Sequence, residues 1–400
     1  MDNKNENNRE GASLCNPETK FQDQRKDKAQ NSDELRQKPI PKATQQTSKK
    51  KQIQGWLSRS SRSLRPSEAA TEISHPDECS SYGDNYSVGA PSASTGSSAM
   101  VAVNENDSDY RESLSYRDIT IEYMERPIER MKQAVEVIER PRETPKMDNA
   151  AFQDLIRAIR RIQTDNKHAI KELAAKNFTA IKRVLDERLE RCSSQLWHRA
   201  VAVPLAPGFV GTPPLPLLPR PKADFAFGFS NLAFTTRQIA TILHLVDESG
   251  HSYAMPGHDT LFPFLVIEFK SQADNGTHYM ATNQAASAGA IALNGQLELM
   301  RRAYGMVTAD ASAPRFFSIT IDPAYAQING HWVGCSDIGQ DERCTFYVEG
   351  IARHFLDTAE GVRAVECAVE NILDYSVDVL LPGICDALDA YRAVMVAPRD

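Results

Sequence analysis

The feature that most constrains the fold is an unbroken apolar run, LFPFLVI, which begins at Leu261 and leads directly into Glu268, Phe269 and Lys270. A run of this kind without a helical period is typical of a strand that is buried on both faces of a sheet. The i, i+2 spacing of Glu268 and Lys270 places both charged side chains on one face of that strand. Burying an unpaired charge costs several kcal/mol. The pair therefore indicates either an ion pair at the edge of a core or a functional site.

Patterned segments around this run predict an α/β fold. Residues 224–230, DFAFGFS, and the runs within 313–351 are rich in aromatic and β-branched residues, which predicts strands with turns at Asp322-Pro323 and Asn329-Gly330. Helical spacing predicts one helix from Thr235 to about Glu248 and a long alanine-rich and glycine-rich helix after it. Together these elements predict a small mixed β-sheet flanked by helices.

Residues 1–108 differ in composition from the rest of the chain. They are rich in Asn, Gln, Ser, Lys and Asp, without a sustained hydrophobic period. Such a segment cannot bury enough apolar surface to offset the entropy that is lost on folding, so we expect a disordered polar tail. Residues 109–200 are expected to form a helical lead-in, because apolar residues between Phe152 and Leu189 recur with a period close to 3.6. Residues 201–400 are expected to form an α/β core with C-terminal helices.

Charge is distributed unevenly in the tail. Nine Lys or Arg residues and no acidic residue lie between Arg36 and Arg65, eight acidic and no basic residues follow up to Tyr110, and the whole chain carries a net charge of −7. The basic block is compatible with contact to nucleic acid or with nuclear import, or with a solvated tail that has no partner. The polar N-terminus and the short apolar runs predict an intracellular protein without a secretory signal or membrane span.

The cysteines and common motifs exclude little but narrow the choice of enzyme classes. Seven scattered cysteines, none in C-x-x-C, predict free thiols in a reducing compartment. The sequence has no G-x-S-x-G, no Walker lysine loop, no G-x-G-x-x-G and no H-E-x-x-H. Serine hydrolases, nucleotide-binding folds and zinc proteases therefore have no motif to support them.

The charged residues near the apolar run predict a site for phosphodiester cleavage. Two carboxylates on neighbouring strands, with a lysine beside them, suit a magnesium ion that activates water and neutralises a phosphate. We expect Asp224 and Glu268 to hold Mg²⁺, with the backbone carbonyl of Phe269 as a third ligand. Lys270 would orient the water or stabilise the oxyanion, and Gln284, early in the next helix, is a fourth candidate catalytic residue. The competing interpretations are an ion pair, a turn residue at Asp224 and a helix cap at Gln284.

The same segments resemble a known family. DFAFGF, FPFLVIEFKS, NQAASAGAIALNGQLEL and FFSITIDPAYAQINGHW are similar to an uncharacterised fungal domain family whose core resembles the PD-(D/E)XK nuclease superfamily, with its restriction-endonuclease-like fold. The resemblance extends from about residue 115 to 390. It implies a magnesium-dependent, nuclease-like site at Asp224, Glu268 and Lys270, with Gln284 near it. Ala223 stands where the superfamily has proline, and 44 residues separate Asp224 from Glu268.

Three functions are compatible with this sequence. The first is a metal-dependent nuclease, which requires the three charged residues to converge beside a basic groove. The second is a catalytically inactive nuclease fold that binds nucleic acid or protein. The third is a helical interaction protein whose partner binds residues 150–199, which requires a long exposed apolar stripe on those helices.

Overall fold

The computed structural model describes residues 109–122, 129–142, 149–162, 165–182, 184–210, 215, 217–305, 313–338 and 341–397. The predicted tail, residues 1–108, lies outside them. The strands are β1 (Ile119–Glu122), β2 (Leu189–Ser193), β3 (Phe225–Phe229), β4 (Leu261–Phe269), β5 (Phe316–Ile321), β6 (Tyr325–Ile338) and β7 (Asp341–Phe355). The α-helices are α1 (Asp109–Ser115), α2 (Glu129–Ile138), α3 (Asn149–Arg161), α4 (Lys167–Asn177), α5 (Thr179–Lys182), α6 (Thr236–Ile242), α7 (His278–Tyr304), α8 (Ala359–Tyr375) and α9 (Leu381–Val396). Short 3₁₀ turns span Pro207–Phe209, Asn231–Ala233 and Gln272–Asp274, and a π-helical turn, Ser376–Leu380, joins α8 to α9.

The seven strands form one mixed sheet in the order β1-β7-β6-β5-β4-β3-β2. The β1–β7 and β4–β5 pairs are parallel, and the other pairs are antiparallel. Helices flank the sheet, so the predicted α/β fold with a mixed sheet is confirmed. None of the helices in the described part of the chain is long and apolar enough to cross a bilayer.

Strand β4 lies inside the sheet, between β5 and β3, and is buried along its whole length, as its apolar run predicts. One face of the sheet, carrying Phe227, Ile267 and Ile319, belongs to the larger hydrophobic core. The other face, which includes Val266, packs against the alanine-rich side of α7. Small residues on that side of the helix let its backbone lie close to its neighbours, as the sequence predicts.

The lead-in segment contributes strands as well as helices. The helical pattern predicted to continue to Leu189 is interrupted, because α5 ends at Lys182 and Leu189 begins β2. Strands β1 and β2 pair with β7 and β3, so the sheet draws two of its strands from residues 109–200. Both are short and contain charged residues, and they gain their order from strand pairing. The apolar residues of α3 and α4 are buried in the larger core, so these helices lack the exposed stripe that the interaction hypothesis requires.

The prediction of a turn at Asn329-Gly330 is wrong. Both residues lie within β6, where the pairing with β7 shifts register next to Ile328. A Cβ atom at Gly330 would come within 2.4 Å of the Trp332 ring. Glycine within a strand can mark close packing against the backbone as well as a turn. At Gly330 the packing group is the Trp332 ring.

The prediction of free thiols is wrong for Cys335 and Cys344. The β6–β7 register places these residues opposite each other, with a Cα–Cα distance of 4.1 Å, and they form a disulfide. The pairing of β6 with β7 brings the two thiols together, and the spacing of the cysteines in the sequence does not predict it. Cys192, Cys367 and Cys385 are free.

Candidate functional site

Three charged residues are buried at the carboxyl end of β4. The exposed fraction is 5% for Asp224, 3% for Glu268 and 6% for Lys270. The antiparallel register pairs Phe225 with Ile267, and its continuation brings Asp224 beside Glu268. The predicted carboxylates thus lie on adjacent strands in a buried environment, where ionic contacts are screened less than at the surface.

Asp224 is held by one backbone amide and by two ammonium groups. Its Oδ2 accepts the backbone N–H of Phe269 at 2.9 Å and lies 2.8 Å from Lys167 Nζ. Lys171 Nζ lies 3.7 Å from Oδ1. The two lysines are one turn apart on α4, so a single helix face presents both ammonium groups to the carboxylate. Sequence reasoning did not identify either lysine.

Lys171 also contacts the end of β2. Its Nζ donates to Ser194 Oγ at 2.6 Å. Burial lowers the pKa of Lys171, and Lys167 acts in the same direction, while Asp224 and Glu268 oppose the shift. Because Lys171 interacts with both carboxylates, Glu268 belongs to the same electrostatic cluster as Asp224.

Lys270 and Gln284 are in contact. Lys270 Nζ donates to Gln284 Oε1 at 2.5 Å, which joins the end of β4 to the second turn of α7. The helix begins after Thr277, whose side chain accepts the amide of Met280 and caps the first turn. The structure therefore pairs Lys270 with Gln284 and places Asp224 opposite Glu268, so the four predicted side chains all lie at the carboxyl end of β4. The Phe269 group that contacts Asp224 is its amide, whereas the predicted ligand is its carbonyl.

A contact from α1 supports the first turns of α7. Arg111 Nε donates to Asn283 Oδ1 at 2.8 Å, and the guanidinium lies 3.8 Å from the centre of the Tyr279 ring. Asn283 is fully buried next to Gln284. Residues before the α/β core thus help to position the helix that carries Gln284.

Polar residues continue across the sheet from Glu268. The strand registers align it with Thr320 on β5, Gln327 on β6 and Arg353 on β7. Arg353 Nη2 donates to Gln327 Oε1 at 2.8 Å. Four neighbouring strands therefore present a row of polar side chains at one level, a feature that depends on strand order and is absent from any short motif.

His278, the first residue of α7, joins this row to the end of β5. Its Nδ1 lies 2.8 Å from Thr320 Oγ1 and its Nε2 lies 3.1 Å from Asp322 Oδ2. The ring stacks on Tyr325 with centroids 3.9 Å apart. Burial alone would raise the pKa of Asp322, but hydrogen bonds from His278 and from the amides of Tyr325 and Ala324 lower it. Asp322 is therefore a stable anion next to the imidazole.

A second polar layer lies deeper beneath α7. His331 Nε2 lies 2.9 Å from Ser318 Oγ, which also accepts a hydrogen bond from Asn329. Burial lowers the pKa of His331 to about 3, so its ring is neutral at physiological pH. A Cβ atom at Gly289 would lie 2.3 Å from His331 Nδ1. The glycine therefore makes room for the histidine beneath the helix.

The donor set suits a magnesium ion that keeps most of its water. Two carboxylates on adjacent strands supply hard oxygen ligands, and Mg²⁺ in proteins often takes only one or two carboxylates, with waters and substrate phosphates completing its shell. Among the described residues, no group of three or more His, Cys, Asp or Glu side chains could enclose a metal ion. An open magnesium site at Asp224 and Glu268 would require a metal ion to displace Lys167 from Asp224, and the described residues do not form an all-protein cage.

The fold and site define an α/β protein with a mixed seven-stranded sheet and a buried acid–lysine cluster at the end of its central strand. A family model described as Domain of unknown function (DUF7924) matches residues 148–388, and the chain belongs to that family. The matched region contains Asp224, Glu268, Lys270 and Gln284, whereas Arg111 lies before it. No curated protein has detectable sequence similarity to the chain.

Proposed function

We propose that the protein is a metal-dependent phosphodiesterase of the nuclease class, with Asp224, Glu268, Lys270 and Gln284 in its active site. The observation that carries this proposal is the convergence of these side chains at the end of β4. Asp224 and Glu268, with the predicted Phe269 carbonyl, would hold Mg²⁺. The resemblance of FPFLVIEFKS to the PD-(D/E)XK core supports the same assignment, and fold likeness alone would not.

The ammonium groups around the two carboxylates favour an anionic substrate. Lys167 and Lys171 lie against Asp224, and Lys270 follows Glu268 by two positions on the same face of the strand, so three ammonium groups accompany the two carboxylates. A bound phosphate would find fixed cations there without waiting for the protein to reorganise. The net charge of −7 for the whole chain thus does not describe the local field at this site.

Lys270 is placed to act on the reacting oxygen. Gln284 Oε1 accepts one of its protons, which orients the ammonium group at the end of β4. In the proposed reaction the Lys270 ammonium would hold the attacking water or stabilise the developing oxyanion in the transition state. Bound Mg²⁺ would lower the pKa of a coordinated water and neutralise the charge of the phosphate.

Cleavage by the full chain tests the proposal directly. We expect labelled plasmid and oligonucleotide to be cut with Mg²⁺ or Mn²⁺ and to remain intact with EDTA. Glu268→Gln and Lys270→Met should each lower the rate by about 10²–10³-fold, because each removes a charge that acts in the transition state. A matched control is Glu370→Gln, which removes a buried carboxylate paired with Arg142 at 2.9 Å, away from the site. Equal cleavage by all four proteins would show that the cluster has no catalytic role.

The ion pairs of Asp224 favour a second candidate, a binding module without catalysis. Lys167 at 2.8 Å already neutralises one carboxylate oxygen, and a metal ion would have to replace that contact. In this alternative the lysines bind phosphate groups and Asp224 only positions them. Nucleic-acid binding that persists in EDTA, without cleavage in Mg²⁺ or Mn²⁺, would identify the binding module. If nucleic acid is the ligand, the basic block at residues 36–65 also supports a nuclear location.

A further inference from the structure

An exposed aromatic ring lies at the end of β7, on the face of the sheet that carries the proposed active site. Phe355 is 61% exposed, and it is the only exposed phenylalanine among the described residues. Alternation along β7 places its side chain on the same face as that of Arg353, which belongs to the polar row that begins at Glu268. A single exposed apolar side chain is ordinary on a protein surface, so the neighbours of Phe355 decide whether its ring belongs to a site.

The strand register places Phe355 at the same level as Lys270. Tyr325 pairs with Phe355. The pairings of β4 with β5 and of β5 with β6, continued by one residue, align Lys270 with Asp322 and Asp322 with Tyr325. Strands β4 and β7 are three strand spacings apart, so about 14 Å separates Phe355 from Lys270. The exposed ring is therefore close enough for one extended ligand to contact both it and the acid–lysine cluster.

Tyr325 lies against the Phe355 ring and beside the Arg353 guanidinium. The ring centroids of Tyr325 and Phe355 are 6.5 Å apart with the planes at 66°, and Arg353 Cζ lies 4.8 Å from the centre of the Tyr325 ring. Arg353 is exposed, but its Nη2 donates to Gln327 Oε1 at 2.8 Å, which orients the guanidinium. An apolar ring and an oriented cation are therefore both exposed at the end of β7.

Asp322 is the acidic residue between the ring and the acid–lysine cluster at this level, and its carboxylate already has three partners. It accepts two backbone amides and lies 3.1 Å from His278 Nε2. These contacts stabilise the negative charge of Asp322 within the protein. A phosphate that follows the row would meet the exposed guanidinium of Arg353 and a carboxylate that is already bonded.

We propose that Phe355 and Arg353 form a stacking subsite for one unpaired base of a single-stranded nucleic acid. The inference rests on the proposed function, because the same strand continues from this subsite to Lys270 and the two carboxylates. The base stacks on the Phe355 ring and Arg353 contacts the adjacent phosphate. Paired bases in a duplex offer their edges in the grooves, so the subsite selects single strands. The ring has no hydrogen-bonding group and accepts any base.

The spacing of the subsite from the cluster fits a short stretch of such a strand. Stacked nucleotides advance about 3.4 Å each along one strand, so the separation of about 14 Å corresponds to about four stacked nucleotides, or fewer in an extended strand. One oligonucleotide can therefore occupy the subsite and the acid–lysine cluster together.

The test is fluorescence anisotropy on the full chain in EDTA, so that binding is measured without cleavage. The probes are labelled single-stranded DNA, single-stranded RNA and duplex DNA, at about 200 mM salt to weaken binding through phosphates alone, including binding to the basic block of the tail. The tighter of the two single strands should bind at least about tenfold more tightly than the duplex. Phe355→Ala should weaken that binding by about 5- to 150-fold, which is the range for loss of stacking on one base, and Phe355→Trp should preserve it.

Tyr304→Ala is the matched control, because Tyr304 is 55% exposed and lies at the other end of α7 from His278. This variant should bind like the parent protein. Replacing the bases of the single strand one at a time by an abasic residue should reveal one position that weakens binding to the parent and has no further effect in Phe355→Ala.

Unchanged affinity in Phe355→Ala, equal or tighter binding of the duplex, or the same abasic effect in both proteins would overturn the assignment. Cleavage in Mg²⁺ or Mn²⁺ is measured separately on the same proteins. Single-strand binding that depends on Phe355, in a protein that cuts no probe, would retain the subsite and overturn the proposed catalysis.

Discussion

Replacing Gly295 with alanine is expected to destabilise the protein, although alanine is the better helix former. Gly295 lies in the middle of α7, where a Cβ atom would be 1.9 Å from the carbonyl oxygen of Tyr253. Ordinary contact at a Cβ begins near 3.4 Å, so helix and loop would have to separate by about 1.5 Å. The amide of Tyr253 donates to the carbonyl of Leu245 at 3.0 Å, which restricts movement of the loop.

Two opposing contributions set the size of the effect. Alanine in a helix gains about 1 kcal/mol over glycine, whereas overpacking a rigid backbone contact costs about 3 kcal/mol. The expected net loss at Gly295 is about 2 kcal/mol, or roughly 4 °C or more in Tm. Gly383→Ala in α9 is the matched control, because its Cβ would meet nothing within 4 Å. That variant should gain about 0.5–1 kcal/mol.

Urea unfolding followed by circular dichroism measures both variants. The two identical substitutions should shift the free energy of unfolding in opposite directions. A Gly295→Ala protein at least as stable as the parent would refute the close approach of α7 to Tyr253. A destabilised Gly383→Ala protein would instead show that free space around the added Cβ atom does not predict whether alanine is tolerated.

Three further outcomes follow from individual contacts in the structure. Because His331 is buried and neutral, the protein should lose stability as the pH falls from about 6.5 toward 3, since only the unfolded chain takes up a proton at this residue. Between pH 7 and pH 5 the expected loss in the free energy of unfolding is about 2 kcal/mol. In urea unfolding, the free energy of unfolding of His331→Gln should change between these two pH values by that much less than the free energy of the parent protein. An imidazole that titrates near pH 6.5 by NMR would contradict the assignment. Removing the disulfide by Cys335→Ser should cost about 2–3 kcal/mol, since the bond closes a short loop. Alkylation of the parent protein without reductant should leave two of the seven cysteines unlabelled by mass spectrometry, and labelling of all seven would disprove the bond. Thr235→Ala should cost about 1 kcal/mol by removing the cap of α6, while exposed Thr236→Ala should change unfolding little, and equal effects would refute the capping role.

The central strands could be predicted because burial leaves a mark on their sequence. The run LFPFLVIEF admits few alternatives to a buried strand, and the aromatic residues of β3 and β5 behave similarly. Strands β1 and β2 leave no such mark, because ITIE and LERCS are short and contain charged residues. Their strand state depends on pairing with distant segments, which local composition does not encode.

The candidate site was predictable only where it follows strand alternation. Glu268 and Lys270 share a face by spacing alone, and Asp224 opens the preceding strand. Lys167 is 57 positions before Asp224, and its contact exists only because α4 packs at the end of the sheet. Thr320 joins the row beside Glu268 through a parallel pairing, whose strand order is a property of the whole fold.

Strand β1 has a consequence for where this protein can be divided. The family match begins at residue 148, yet β1 at Ile119–Glu122 pairs in parallel with β7. A fragment that starts at the family boundary would leave one side of β7, in the middle of its 15 residues, with unpaired amides and carbonyls. Such an edge can add a strand from another molecule. The fragment should therefore self-associate in a concentration-dependent way, and restoring residues 109–147 should return it to a single species.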